Sequence, residues 1–142
     1  MNDGVILALL PRGSTGETHC TLVYGGTVGE DAPHPTVLAK SAMHLARGFM
    51  PFDVTVTGHD MFGQEKDEPV NLIDSHHLHA MRHFVNHHNR SEFKDFKPHI
   101  SVNEDTPHLA LGSKLRMDRL ALWYGEDRWS WALGTGEPRA PQ

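Results

Sequence analysis

One four-residue pattern occurs twice in this chain: His19-Cys20-Thr21-Leu22 and His99-Ile100-Ser101-Val102, each reading histidine, apolar, hydroxyl, apolar. From the composition about 0.2 such segments are expected by chance, so two arise about one time in fifty. Both copies fall on segments that read as strands, at matching places in the two halves. Strand alternation sends His19 and Thr21 to one face and Cys20 and Leu22 to the other, and it divides His99 and Ser101 from Ile100 and Val102 in the same way. Each strand therefore buries one side and offers an imidazole and a hydroxyl on the other. A chain of this kind has to build two comparable strand units, and the two offered faces can meet in a cleft.

The surrounding pattern supplies those units. Residues 5–10 are β-branched and aliphatic and end at Pro11, which predicts a buried strand followed by a loop over 12–16. A second strand is expected over 18–24, closed by Gly25 and Gly26. Leu38, Ala42, Leu45 and Phe49 recur at helical spacing between 35 and 49, with Gly48 and Pro51 as stop signals. Phe52, Val54 and Val56 alternate with polar residues, predicting a half-buried strand, and a polar loop through Gly63 leads to another strand at 70–74. Ser75 can cap a second helix running to about 90, with Leu78, Met81, Phe84 and Val85 as its core arc. A strand over 96–103 follows. Residues 119–124 and 129–133 read as a closing pair connected by 125–128. This order predicts an α+β fold: two pseudo-symmetric lobes of largely antiparallel sheet with flanking helices around a central cleft, one domain over 1–134 and a mobile tail over 135–142.

Composition narrows the function classes. The chain has 142 residues, 13 Lys or Arg against 18 Asp or Glu, and a formal charge of −5. A chain of this length buries about two thirds of its unfolded surface, so it needs no disulfide or structural metal. Proteins that track a long nucleic acid carry a basic stripe, because phosphate neutralisation supplies most of their non-specific affinity. None is present here, whereas a few placed donors can still hold a small anion. The single cysteine, Cys20, permits no internal disulfide and fits a reducing compartment. The apolar run at 5–10 follows Asp3 and is too short for a signal peptide or a membrane span. A soluble, cytoplasmic monomer without membrane contact is expected.

Two imidazoles and two hydroxyls facing one cleft form a set suited to phosphodiester cleavage. One neutral ring can take a proton from an attacking water or ribose hydroxyl while the other, protonated, gives one to the leaving oxygen. The Thr21 and Ser101 hydroxyls can hydrogen-bond the non-bridging oxygens. This chemistry requires no metal or cofactor, and either histidine can be the base.

The segments 18–22 and 96–102, with Phe52-Asp53-Val54, Gly58, Phe62-Gly63 and Val70-Asn71-Leu72 between them, resemble the two-histidine phosphoesterase superfamily, which includes RNA-ligase-like proteins and cyclic-nucleotide phosphodiesterases. The resemblance spans about residues 5–133. It implies a bilobal α+β fold, metal-independent phosphodiester cleavage, and His19, Thr21, His99 and Ser101 as the working residues. Ser101 stands where many members carry threonine, which keeps the hydroxyl. The substrates implied are 2′,3′-cyclic phosphates, 2′,5′-linked or cyclic oligonucleotides, and the short chain favours a small nucleotide. Beyond Arg12 the sequence shows no basic cluster near the first motif to grip a base or a second phosphate.

Other signals weigh less. His76, His79, His83 and His87 fall within an arc of about 80° on the second helix, opposite its expected core face. They could supply zinc ligands, but no matching cysteine or carboxylate motif accompanies them, and a solvated stripe is the simpler reading. Alternation separates Cys20 from His19, against a thiolate–imidazole dyad. Residues 13–16 lack the Gly-Lys-Ser/Thr ending of a phosphate loop. Trp123, Trp129 and Trp131 lie on the closing strands, where most tryptophans pack; Trp123 is the candidate for contact with a substrate base. The rival functions are a non-catalytic nucleotide-binding module and a metal-binding protein using the histidine-rich helix.

Overall fold

A computed structural model describes residues 4–88 and 96–139. The first strand, β1 (Gly4–Pro11), is apolar on both faces, with Val5, Leu7 and Leu9 on one side and Ile6, Ala8 and Leu10 on the other. A strand of that kind is stable only in the interior of a sheet. It pairs with β2 (Cys20–Thr27) on one edge and with β6 (Lys114–Tyr124) on the other. Helix α1 (Pro35–Arg47) follows β2. His34 caps it, its Nδ1 accepting the Thr36 N–H at 3.2 Å, and Gly48 closes it. Strand β3 (Phe52–Phe62) continues well beyond the expected Val56, through a register shift between Val56 and Gly58, and pairs with β4 (Glu68–Asp74). Helix α2 (His76–His88) starts where expected, with the Ser75 hydroxyl accepting the His77 N–H at 3.2 Å. The expected last residues of this helix, 89–90, lie outside the described ones. Then come β5 (His99–Ser101), β6, β7 (Asp127–Ala132) and β8 (Pro138–Arg139).

All pairs are antiparallel, and the main path through the sheet runs β2-β1-β6-β3-β4-β5, with β7 branching from β6 and β8 from β7. The expected α+β class therefore holds, its two lobes realised as two three-strand halves of one sheet that join where β6 pairs with β3. The path reads the same from either end: an outer strand that carries or follows a histidine, a central strand, and an inner strand. The outer strands β2 and β5 come back alongside each other. Both helices cover one face, over a core of Leu9, Leu22, Val54, Ile100, Leu120 and their neighbours. The other face carries a smaller cluster, Leu10, Ala121 and Trp123 with Ile6 against it. No helix among the described residues is long and apolar enough to cross a membrane.

Three expectations need correction. Phe84 is 55% exposed; Arg82, at 8%, takes the core place with Leu78, Met81 and Val85. At 3.6 residues per turn, positions 78, 81, 82 and 85 share an arc and Phe84 lies about 60° outside it. The Arg82 guanidinium survives burial because it donates to the Leu22 carbonyl and packs over the Phe96 ring. Phe84 instead lines a cavity of about 480 Å³ with Leu38, Leu45, Phe49 and Val85. The closing hairpin turns over two residues, Gly125 and Glu126, instead of four, because Gly125 adopts a φ of 60° and suits a tight hairpin connection. The mobile tail expected from 135 is a paired segment through 139: Ser130 pairs with Arg139, Trp131 pairs with Pro138, and the Gly136 N–H bonds the Ala132 carbonyl at 2.8 Å. Residues 140–142 lie outside the described ones.

Candidate active site

His19 immediately precedes β2, at the end of a loop organised by its own hydroxyls. The Ser14 Oγ donates to the Thr18 carbonyl at 2.5 Å and accepts the Gly16 N–H at 3.1 Å. Gly16, at a φ of 124°, then presents its carbonyl to His19 Nδ1 at 3.0 Å. On the other half, Pro98 leads into β5, and His99 Nδ1 lies 2.9 Å from the Lys97 carbonyl. A carbonyl only accepts, so in both rings Nδ1 carries the hydrogen and Nε2 is the nitrogen that exchanges protons. The two histidines are thus held in the same tautomer by the same device.

Their aromatic neighbours repeat the symmetry. The His19 ring meets Trp123 of β6 edge-on at 4.6 Å, and the His99 ring meets Phe62 of β3 in the same way at 4.5 Å. Each partner comes from the inner strand of its half, two strands away from the histidine. Edge-to-face packing fixes the plane of each imidazole without engaging its nitrogens.

Burial holds the His19 imidazole below its ordinary value of 6.5. The Gly16 and Glu17 carbonyls oppose that by favouring the protonated ring, and the charge of His99 lowers it further. The two imidazoles are therefore within electrostatic reach of each other. Cys20, fully buried, is pushed up to about 12 by burial, against which the His99 backbone N–H acts. It remains a thiol at neutral pH. That contact also places the start of β5 against the residue next to His19.

Side-chain bonds sew the two outer strands together just beyond the histidines. The Thr18 and Thr106 hydroxyls are hydrogen-bonded, and Asn103 Nδ2 donates to the Glu17 carbonyl at 3.0 Å. Asn103 Oδ1 meanwhile accepts the N–H groups of Asp105 and Thr106, both at 2.9 Å, so one side chain shapes its own turn and grips the other half. A hollow of about 450 Å³ lies along this seam, lined by polar residues such as Arg12, Glu17, Thr18 and Asp105 together with Leu109 and Leu115.

Of the residues singled out from sequence, His19, His99 and Trp123 are tied to this site by these contacts. Thr21 stands opposite Ala8, half-buried, and Ser101 stands opposite Val70, exposed, each two positions along from its histidine on the same face. Trp123 is only 8% exposed: the Arg128 guanidinium lies 4.4 Å over its ring. Asn103 and Arg128 are neighbours of the site that sequence reading did not single out, and Phe62 entered it only as part of the resemblance, with no role. Phe62 falls on the unexpected extension of β3, and Arg128 becomes a strand residue only through the tight turn at Gly125. The described histidine side chains of α2 take no part. His76, His77, His79 and His83 are exposed, and His79 pairs with Asp74 at 2.7 Å. The His87 side chain lies outside the described ones. No three His, Cys, Asp or Glu side chains gather as a metal-holding group among the described residues.

No protein-family model matches the chain, and no curated protein matches it by sequence. Solved structures do. TT0787 of Thermus thermophilus superposes with a TM-score of 0.63 at 17% identity, covering 92% of this chain and 98% of that one. E. coli LigT complexed with 3′-AMP gives 0.53 at 13% identity over 98% of this chain and 93% of its own, and LigT complexed with NADP+ gives 0.52 at 13% over 98% and 94%. The duplicated strand units, their closing seam and these superpositions agree: the chain has the fold of the two-histidine phosphoesterases, the superfamily of E. coli LigT.

Proposed function

We propose that this protein is a phosphodiesterase that cleaves a small nucleotide or short oligonucleotide by two-histidine acid–base catalysis without a metal ion. The observation that carries the reading is the matched mooring of two imidazoles, each with Nδ1–H on a carbonyl and its ring edge-on to an aromatic, at the starts of two strands that adjoin. His19, held neutral by burial, is the base: its Nε2 takes the proton of a water or a ribose 2′-hydroxyl as that oxygen bonds to phosphorus. His99 is the acid, and its Nε2–H passes to the leaving oxygen as the old P–O bond breaks. The next enzyme cycle begins when the two rings exchange their protons back with solvent. The Thr21 and Ser101 hydroxyls donate to the non-bridging oxygens, where negative charge accumulates. The LigT structures of the same fold were solved with 3′-AMP and NADP+, which supports a nucleotide as the occupant.

The test is a panel of 2′,3′-cyclic, 2′,5′-linked, linear 3′,5′ and cyclic oligonucleotides with EDTA present and product ends identified. Wild-type protein is expected to cleave at least one class. His19→Ala and His99→Ala are each expected to lose about 10²- to 10⁴-fold in rate while retaining the circular dichroism of the folded chain. Binding without turnover across the panel would move the protein to the class of nucleotide-binding modules. Activity abolished by the chelator would replace the metal-free mechanism.

A further inference from the structure

Trp123 and Arg128 stand directly opposite each other on β6 and β7, so their side chains share the face that carries His19. The guanidinium lies 4.4 Å over the indole, and the indole lies 4.6 Å from the His19 ring. The tryptophan itself is closed off. Arg128 covers its ring, His19 meets it, and the Gly16 backbone passes so near that a Cβ there would sit 3.7 Å from the indole. What this corner offers to a ligand is therefore the arginine.

The two other arginines of β6, Arg116 and Arg119, are engaged elsewhere. Arg119 bonds the Asp118 carboxylate at 3.1 Å and the Pro11 carbonyl at 2.8 Å, and Arg116 bonds Asp53 and the Pro51 carbonyl. Arg128 makes no ion pair among the described residues and is exposed. Stacking on an aromatic face holds the plane of a guanidinium while leaving the N–H groups along its edge free, and that edge is the surface that binds phosphate in bidentate fashion.

We infer that Arg128, carried on Trp123, anchors a second phosphate of the substrate beside the one that reacts between His19 and His99. This inference rests on the phosphodiesterase reading and sharpens it: the substrate class is a nucleotide or oligonucleotide bearing at least two phosphates, in preference to a mononucleoside cyclic phosphate. Trp123 then acts as a positioning residue for both His19 and Arg128, without being a stacking platform for a base.

The deciding experiment compares adenosine 3′,5′-bisphosphate with adenosine 3′-monophosphate by calorimetric titration into the wild type, Arg128→Gln and Arg128→Lys. A charge-assisted pair of hydrogen bonds predicts that the wild type binds the bisphosphate about ten- to a hundredfold more tightly. Arg128→Gln should bind the two ligands alike, and Arg128→Lys should keep part of the preference. Equal binding of both ligands by the wild type, or a preference that survives in Arg128→Gln, overturns the assignment. Binding is read without turnover, so the two readings fail separately. An inert protein whose Arg128 still selects the bisphosphate loses the catalytic reading alone, whereas an active one without that selectivity loses this inference alone.

Discussion

His19 sits among groups that pull its proton affinity in opposite directions, and burial outweighs the carbonyls that favour the charged ring. Two consequences follow from the lowered value. For catalysis, the base is competent once deprotonated, so the acid limb of kcat/KM should lie below pH 6.5, the ordinary value for the ring. A pH–rate profile, with the His19 ring followed by NMR titration, checks this; an acid limb at or above 6.5 that moves with His19 contradicts the base assignment. For stability, the unfolded chain takes up a proton near 6.5 that the folded one refuses. The unfolded state therefore binds more protons as pH falls through that window, and the His19 contribution declines from 6.5 down to the lowered folded value. Replacing His19 with Gln should remove that component of the acid sensitivity in denaturant melts recorded from pH 7 to 5.

At the scale of elements, the closeness of the two histidine strands depends on a seam made by side chains as well as by sheet pairing. Asn103 is its most informative residue because its two ends do different work. Asn103→Asp keeps an oxygen for the Asp105 and Thr106 N–H groups but loses the amide that donates to the Glu17 carbonyl. That variant is expected to fold normally and to lose about tenfold in kcat with a smaller change in KM, since it loosens alignment more than binding. A KM effect alone would assign Asn103 to substrate contact. The seam also marks where sequence reading stopped. Period-two alternation determines faces wherever a strand forms, so a histidine and a hydroxyl two positions apart can be read as sharing one, and caps such as Ser75 announce helices locally. The Phe62 mooring was not legible from periodicity, because Phe62 meets His99 only through a strand that outruns its apolar pattern after a register shift. Arg128 was hidden by the length of a turn, where two residues more or fewer decide whether it is loop or strand. Phe84 was misplaced because a buried arginine with a carbonyl partner displaced the more hydrophobic side chain from the arc, which apolar periodicity does not anticipate.

At the scale of the molecule, the palindromic sheet order is built by an exchange. The chain makes β1 and β2, then sends β3 across to pair with β4 of the other half; later it makes β5 and returns β6 to pair with β1. Each half thus owes its inner strand to the other half of the sequence. Neither half can bury its core alone: β1, apolar on both faces, would lose its β6 edge, and β3 would lose its β4 partner. The polar turn Gly63–Asp67 is the natural place to cut, since no strand pairing runs through it. Fragments 1–64 and 65–142 are each expected to be unfolded or aggregated when expressed singly, by circular dichroism and amide NMR dispersion. Mixed from denaturant, they should recover the native spectrum and, because His19 comes from one fragment and His99 from the other, recover activity only together. A fragment 1–64 that folds alone with dispersed amide signals would show that the halves are autonomous lobes, and that the strand exchange is not what brings β2 and β5 together.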